Sequence, residues 1–176
     1  MSNPYSAPNE VNDAGSQLAP AADVRGMKII TLALIGGVML FMLISLIITG
    51  GALRTQPDLL SWIGIGFFVL NFLTYLTIPG NNRQRLLNQI DRESFGDRST
   101  SEKAELLLPA FRGPHIIGCA VLEGAAFMNL VLYITTEFVG NLAVAAIVVV
   151  LLAFNIPTAT RVRWWMEERI RELETG

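Results

Sequence analysis

Four stretches of this chain carry almost no charge: Met27–Thr49, Leu59–Pro79, His115–Thr136 and Val139–Thr160. Each approaches the ~20 apolar residues that carry a helix across a ~30 Å hydrocarbon core. A soluble helix presents a polar face about every 3.6 residues, yet Ile29–Thr49 and Leu142–Phe154 contain no charged residue. The pattern predicts helices that lie in lipid or between other apolar helices. Between and after them come weaker amphipathic runs. Asn82–Arg92 sets Leu86, Leu87 and Ile90 on one face, Glu102–Leu108 follows the capping segment Ser99-Thr100-Ser101, and Val162–Leu173 carries Trp164 and Trp165 ahead of alternating charges. These read as short helices lying along the inner leaflet.

The expected fold is therefore all-α: a polytopic membrane bundle of four transmembrane helices with amphipathic cytoplasmic extensions. Residues 1–26 form a disordered cytoplasmic tail, 27–79 a first transmembrane hairpin, 80–114 a cytoplasmic loop with short amphipathic helices, 115–160 a second hairpin and 161–176 a cytoplasmic helical extension. The segment Met1–Val24 is rich in Ser, Asn, Pro, Ala and Gly and has no basic stretch leading into a short apolar core. It reads as a tail, with the first span as an uncleaved signal anchor.

Charge orients the bundle. Arg25 and Lys28 precede the first span, Arg83, Arg85, Arg92, Arg98, Lys103 and Arg112 fall between spans two and three, and Arg161, Arg163, Arg169 and Arg171 follow the fourth. Only Arg54 falls on the other side. The positive-inside rule then places both termini and the long loop in the cytoplasm, with external turns near Gly50–Asp58 and Glu137–Asn141. This fits a bacterial cytoplasmic (inner) membrane, multi-pass. The net charge of −2, with basic and acidic residues interleaved, argues against nucleic-acid binding. With one cysteine, Cys119, inside the third span, there is no disulfide framework, and packing is its expected role.

An internal repeat accompanies the pattern. Ile29, Ile30, Ala33, Gly37, Leu43, Ile47 and Thr49 align with Ile116, Ile117, Ala120, Gly124, Leu130, Ile134 and Thr136, and Ile78-Pro79 aligns with Ile156-Pro157. A duplication of this kind gives two hairpins of the same orientation.

Glu123 is the candidate functional residue, because it is the carboxylate set well inside a span. A charge at mid-helix costs about 2.5–3.5 kcal/mol on insertion scales, and the third span contains no Lys or Arg to pair with it. Depth places Asn71 beside it in the antiparallel second span, with Tyr75 one turn nearer the cytoplasm, so both are expected to complete its hydrogen bonding. The carboxyl group serves either as an interhelical hydrogen-bond donor or as a proton or ion site. Small residues around it, Gly36 and Gly37 on the first span and the Ala120/Gly124 pair on the third, are expected to bring helices close together. Asn129 is expected to make a second interhelical hydrogen bond, and His115 to act as an interfacial cap. No spacing of His, Cys and carboxylate residues suits a metal, no glycine loop suits phosphates, and no nucleophile stands beside a base. The expectation is a protein that is not an enzyme and needs no cofactor, with the lipid bilayer, a homo-oligomer or a soluble partner of the loop Asn81–Arg112 as partners.

The run Ala120–Ile134, the fourth span and Asn155–Thr158 resemble a group of uncharacterised small bacterial membrane proteins whose third helix carries a similar Leu-Glu-Gly-Ala-Ala run. That resemblance implies membrane residence and bacterial origin. The small-residue helix around Glu123, with Arg54-Thr55-Gln56-Pro57, more faintly resembles the proteolipid c-type subunits of rotary ATPases. It implies an ion held by Glu123 and hairpins assembled in a ring. In that family, however, the Arg-Gln-Pro loop is cytoplasmic and joins directly to the carboxylate helix. The leading functional expectation is a structural or accessory membrane component acting by helix packing, and the alternative is an oligomeric proton or cation conductor using Glu123.

Overall fold

A computed structural model of the chain describes residues 21–90 and 95–175. The tail expected at 1–26 lies outside these residues up to Pro20, and so does the end of the Asn82–Arg92 helix. Within the described residues there are five principal helices: α1 (Ala21–Ile48), α2 (Leu59–Asn88), α3 (Thr100–Thr136), α4 (Val139–Phe154) and α5 (Ala159–Thr175). α1, α2 and α3 are long and apolar enough to cross a membrane, and α4 with α5 forms a fourth candidate only if the 65° bend between them is counted as one broken span.

The helices run up, down, up and down. Thr31 meets His115 and Thr49 meets Tyr133, so α1 and α3 are parallel. Gly64 meets Asn129 while Tyr75 lies on Gly118, so α2 runs against α3. α3 is the central element. It buries 44% of its most apolar stretch, against 17% for α1 and 11% for α2. The outward faces of α1, α2 and α4 expose large apolar side chains, among them Leu40, Ile47, Leu70, Leu73, Val150 and Phe154. A contiguous apolar surface of this size marks a lipid or protein contact in a folded protein.

Two cores stack along α3. The upper one joins Val38, Cys119, Leu122, Ala126, Leu130, Ala145, Val148 and Leu152. The lower one gathers Met27, Phe95, Leu107, Ala110, Phe111, Val162, Trp165 and Met166. This second core corrects the expectation of short helices spread along a leaflet. Leu86, Leu87 and Ile90 pack against it, and Glu102–Leu108 is the start of α3 rather than a separate helix. Pro109 and Pro114 sit inside α3 without ending it. Proline removes a helical hydrogen bond and ordinarily breaks a helix. Here the Ser99/Glu102 capping box starts the helix, and the buried face of Leu107, Ala110 and Phe111 holds it through both prolines.

The fourth apolar stretch is shorter than its expected Val139–Thr160. α4 ends at Phe154, and its 16 residues rise about 24 Å. Pro157 explains the stop: it has no N–H to donate and steers Ile156 away from helical dihedrals. Asn155 closes α4, its backbone N–H reaching Leu151 O and Leu152 O. At the opposite end the two turns are tied together, with Arg54 N–H donating to Glu137 O at 2.8 Å and Val139 N–H to Arg54 O at 2.9 Å. Tyr133 adds a hydroxyl bond to Ala52 O at 2.8 Å.

Candidate functional site

Glu123 projects into the seam between α1 and α3. Its Oε1 lies 3.6 Å from the point a Cβ on Gly37 would occupy, so the absence of a side chain there makes room for the carboxyl group. Phe127, one turn further along α3, reaches the same glycine and packs its ring 5.3 Å from that of Phe41. The carboxyl group is half-buried and has no hydrogen-bond or ion-pair partner among the described residues.

Two expectations fail here for one reason. The Asn71 amide donates to Phe67 O within its own helix at 2.8 Å, and the Tyr75 hydroxyl donates to Asn155 Oδ1 at 2.9 Å. Neither reaches Glu123. Asn71 lies at about the depth of Glu123 along the bundle and Tyr75 about a turn below it, level with Gly118, but azimuth differs. α2 packs on the side of α3 that bears Gly118 and Asn129, and Glu123 is five residues from Gly118, about 140° around the helix. The small residues divide likewise. Gly37 borders Glu123, whereas Gly36, Ala120 and Gly124 are exposed, and a Cβ at Gly36 or Gly124 would meet nothing within 4 Å. Those three do not pack helices within the chain.

The close approach lies elsewhere, at Gly64. A Cβ at that position would fall 2.8 Å from Leu132 Cδ1, 2.9 Å from Asn129 Oδ1 and 3.0 Å from Asn141 Oδ1. The expected interhelical bond of Asn129 is present: its amide donates to Gly64 O at 3.1 Å and to Ala125 O at 2.9 Å. His115 does not cap a helix, because α3 has already run from Thr100. It bridges helices instead. Thr31 gives its hydroxyl proton to Met27 O at 3.0 Å, which leaves the His115 Nε2–H to donate to Thr31 Oγ1 at 3.2 Å. Cys119 is buried beside this pair, in the packing role expected of it.

A cavity of about 410 Å³ opens where the two cores meet, between α2, α3 and the bend from α4 to α5. Tyr75, Arg83, His115, Asn155 and Arg161 give it polar walls, and Phe111, Pro157, Trp164 and Trp165 give it apolar ones. The Arg83 guanidinium lies 5.1 Å from the centre of the Trp165 ring and 5.7 Å from that of Phe111, a cation–π contact with each of two rings that pack against one another at 5.3 Å. Its Nε and the Trp165 Nε1 are both buried without an acceptor among the described residues. Sequence reasoning treated Arg83 and Arg161 as topology markers and placed both tryptophans on a helix along the inner leaflet. Trp164 is exposed, but Trp165 is buried. The i, i+3, i+4 spacing of Val162, Trp165 and Met166 was the available signal for that inward face.

No protein-family model, curated protein or solved structure matches the chain. The resemblances of Ala120–Thr158 therefore rest on those residues alone. No group of three or more His, Cys, Asp or Glu residues suited to a metal ion occurs among the described residues.

Proposed function

We propose that the chain is a four-span integral protein of a bacterial cytoplasmic membrane, a non-enzymatic structural or accessory component with both termini and the 80–114 segment on the cytoplasmic side. The observation that carries this reading is the apolar outer surface of α1, α2 and α4 around the upper core, with the charged residues of α3 and α5, Glu123 excepted, gathered around the lower one. Lys and Arg at the lower end supply the orientation. The exposed Gly36, Ala120 and Gly124 offer a second copy a surface for close helix approach. The test is retention of the full chain in membranes washed at alkaline pH, joined to reporter fusions after Gly176 and within 89–99. Both fusions are expected to report the cytoplasmic side. Release by the wash, or an external signal from either fusion, would sink the reading.

A second reading, proton or cation conduction in an oligomer, draws on the unpartnered carboxyl group of Glu123 in the α1/α3 seam. Asn71 and Tyr75 do not contribute to it in this arrangement. Flux into proteoliposomes under an imposed pH or sodium gradient, lost in a folded Glu123→Gln variant, is its expected signature. Equal flux in the two proteins, or none in either, would dismiss it.

A further inference from the structure

We propose that the cavity between α2, α3 and the α4–α5 bend binds a phosphate group, with Arg83 and Arg161 as its cationic ligands. Charge accounting within the lower core leads there. The four glutamates of α5 are each engaged by another cation: Glu167 by Arg163, Glu168 by Arg171, Glu172 by Arg169 and Glu174 by Lys103. None is left for Arg83 or Arg161, and neither arginine has an ion-pair partner among the described residues. Both line the cavity, and the positive charges of Arg161 and Arg169 act on Arg83 from nearby.

A half-buried guanidinium is costly without an anion. The rings of Phe111 and Trp165 offset part of that cost but do not neutralise the charge. Arginine presents several N–H donors in a fixed plane, a geometry that suits phosphate oxygens. The surroundings also suit an amphiphile. Leu76 lines the cavity and is 58% exposed, and Phe154, 78% exposed, stands just above the bend, so an apolar path leads from the cavity to the outer surface of the upper core. Basic pockets between membrane helices at the cytoplasmic side bind anionic lipid headgroups on the same principle. The phosphate therefore has two sources to separate, an anionic lipid headgroup and a free phosphate. Only the lipid source rests on the membrane reading above. Release of the chain by an alkaline wash would remove that source and leave the phosphate site standing.

The experiment uses the full chain, delipidated in non-ionic detergent and titrated with phosphatidylglycerol, phosphatidylcholine or inorganic phosphate. Binding is followed by native mass spectrometry. Wild type is expected to retain phosphatidylglycerol over phosphatidylcholine, and Arg83→Gln and Arg161→Gln each to weaken its binding about tenfold or more. Arg163→Gln removes the same charge outside the cavity and is expected to change binding less than about twofold. Because Arg161 is exposed, its variant carries the test if Arg83→Gln fails to fold. Retention of phosphatidylglycerol against excess inorganic phosphate assigns the lipid headgroup. Arginine-dependent binding of inorganic phosphate that displaces the lipid assigns free phosphate. Equal affinity in all three variants, or no binding of any probe by folded wild type, overturns the proposal.

Discussion

Replacing Gly64 with alanine tests the packing of α2 on α3 directly, and the same helix supplies its control. At Gly66 a Cβ would meet nothing within 4 Å, whereas at Gly64 it would meet three atoms at 2.8–3.0 Å. Both substitutions gain the helix propensity of alanine over glycine, about 1 kcal/mol. The difference between them therefore isolates the steric term. Leu132 Cδ1 is the end of a flexible side chain and can turn away. Asn129 cannot do so freely, because its amide is held by Gly64 O and Ala125 O. The contacting atoms must retreat by about half an ångström to reach ordinary separation. Overpacking of this kind costs about 1–3 kcal/mol, and a weakened interhelical hydrogen bond adds about 0.6 kcal/mol in membrane proteins. Gly64→Ala is expected to be less stable than Gly66→Ala by about 2 kcal/mol, or about 30-fold in the unfolding equilibrium. Reversible unfolding in mixed micelles, followed by the fluorescence of nearby Trp62, measures both. A Gly64→Ala protein as stable as the Gly66→Ala protein would refute the close α2/α3 contact.

Two further outcomes follow from the polar contacts. Glu174→Gln leaves the buried Lys103 ammonium without a counter-charge, beside Gly96 O and the Phe95 ring, and is expected to destabilise by about 1 kcal/mol because Glu174 itself is exposed to screening; Lys103→Met, which removes the charge and keeps the stem, should cost less in the same denaturation series. If Lys103→Met proves the more damaging change, the ion pair rather than the desolvated lysine governs this contact. Asp58 caps α2 by accepting from the Ser61 hydroxyl and backbone N–H, at 2.7 and 2.8 Å, and these bonds lower its pKa below the ordinary 3.8. A lowered folded-state pKa means that its stabilisation is present above the unfolded value and is lost as pH falls through the folded value. Amide exchange in the first turn of α2 should therefore quicken below about pH 4 in the wild type. Asp58→Asn should lose that pH dependence, and an identical profile in the two proteins would remove Asp58 as the cap.

Glu123 shows where sequence reasoning reaches its limit. Its isolation in an apolar helix and the neighbouring glycine of α1 were both legible in the sequence, and the structure brings Gly37 to it. Its assignment to Asn71 was not justified, because one-dimensional spacing gives depth along a helix axis but not which neighbour occupies a given azimuth. Gly36 and Gly37 illustrate the same point. They are adjacent and chemically identical, yet one faces the carboxylate and the other faces outward. The prolines of α3 show the opposite failure, in which a strong local signal for a helix end yields to a buried face formed with α5 and Phe95.

The sequence by itself determined the helical class, the apolar segments and the Ser99/Glu102 cap, because each depends on short-range periodicity or on backbone chemistry within a few residues. Tertiary structure alone decided that the amphipathic runs close into a second core and that Arg83 and Arg161 share a cavity without an acidic partner among the described residues. Those outcomes depend on helix rotation and on contacts between residues as far apart as Lys103 and Glu174. Local sequence pattern does not encode such contacts, since they are settled only when four helices and their extensions compete for the surface of α3.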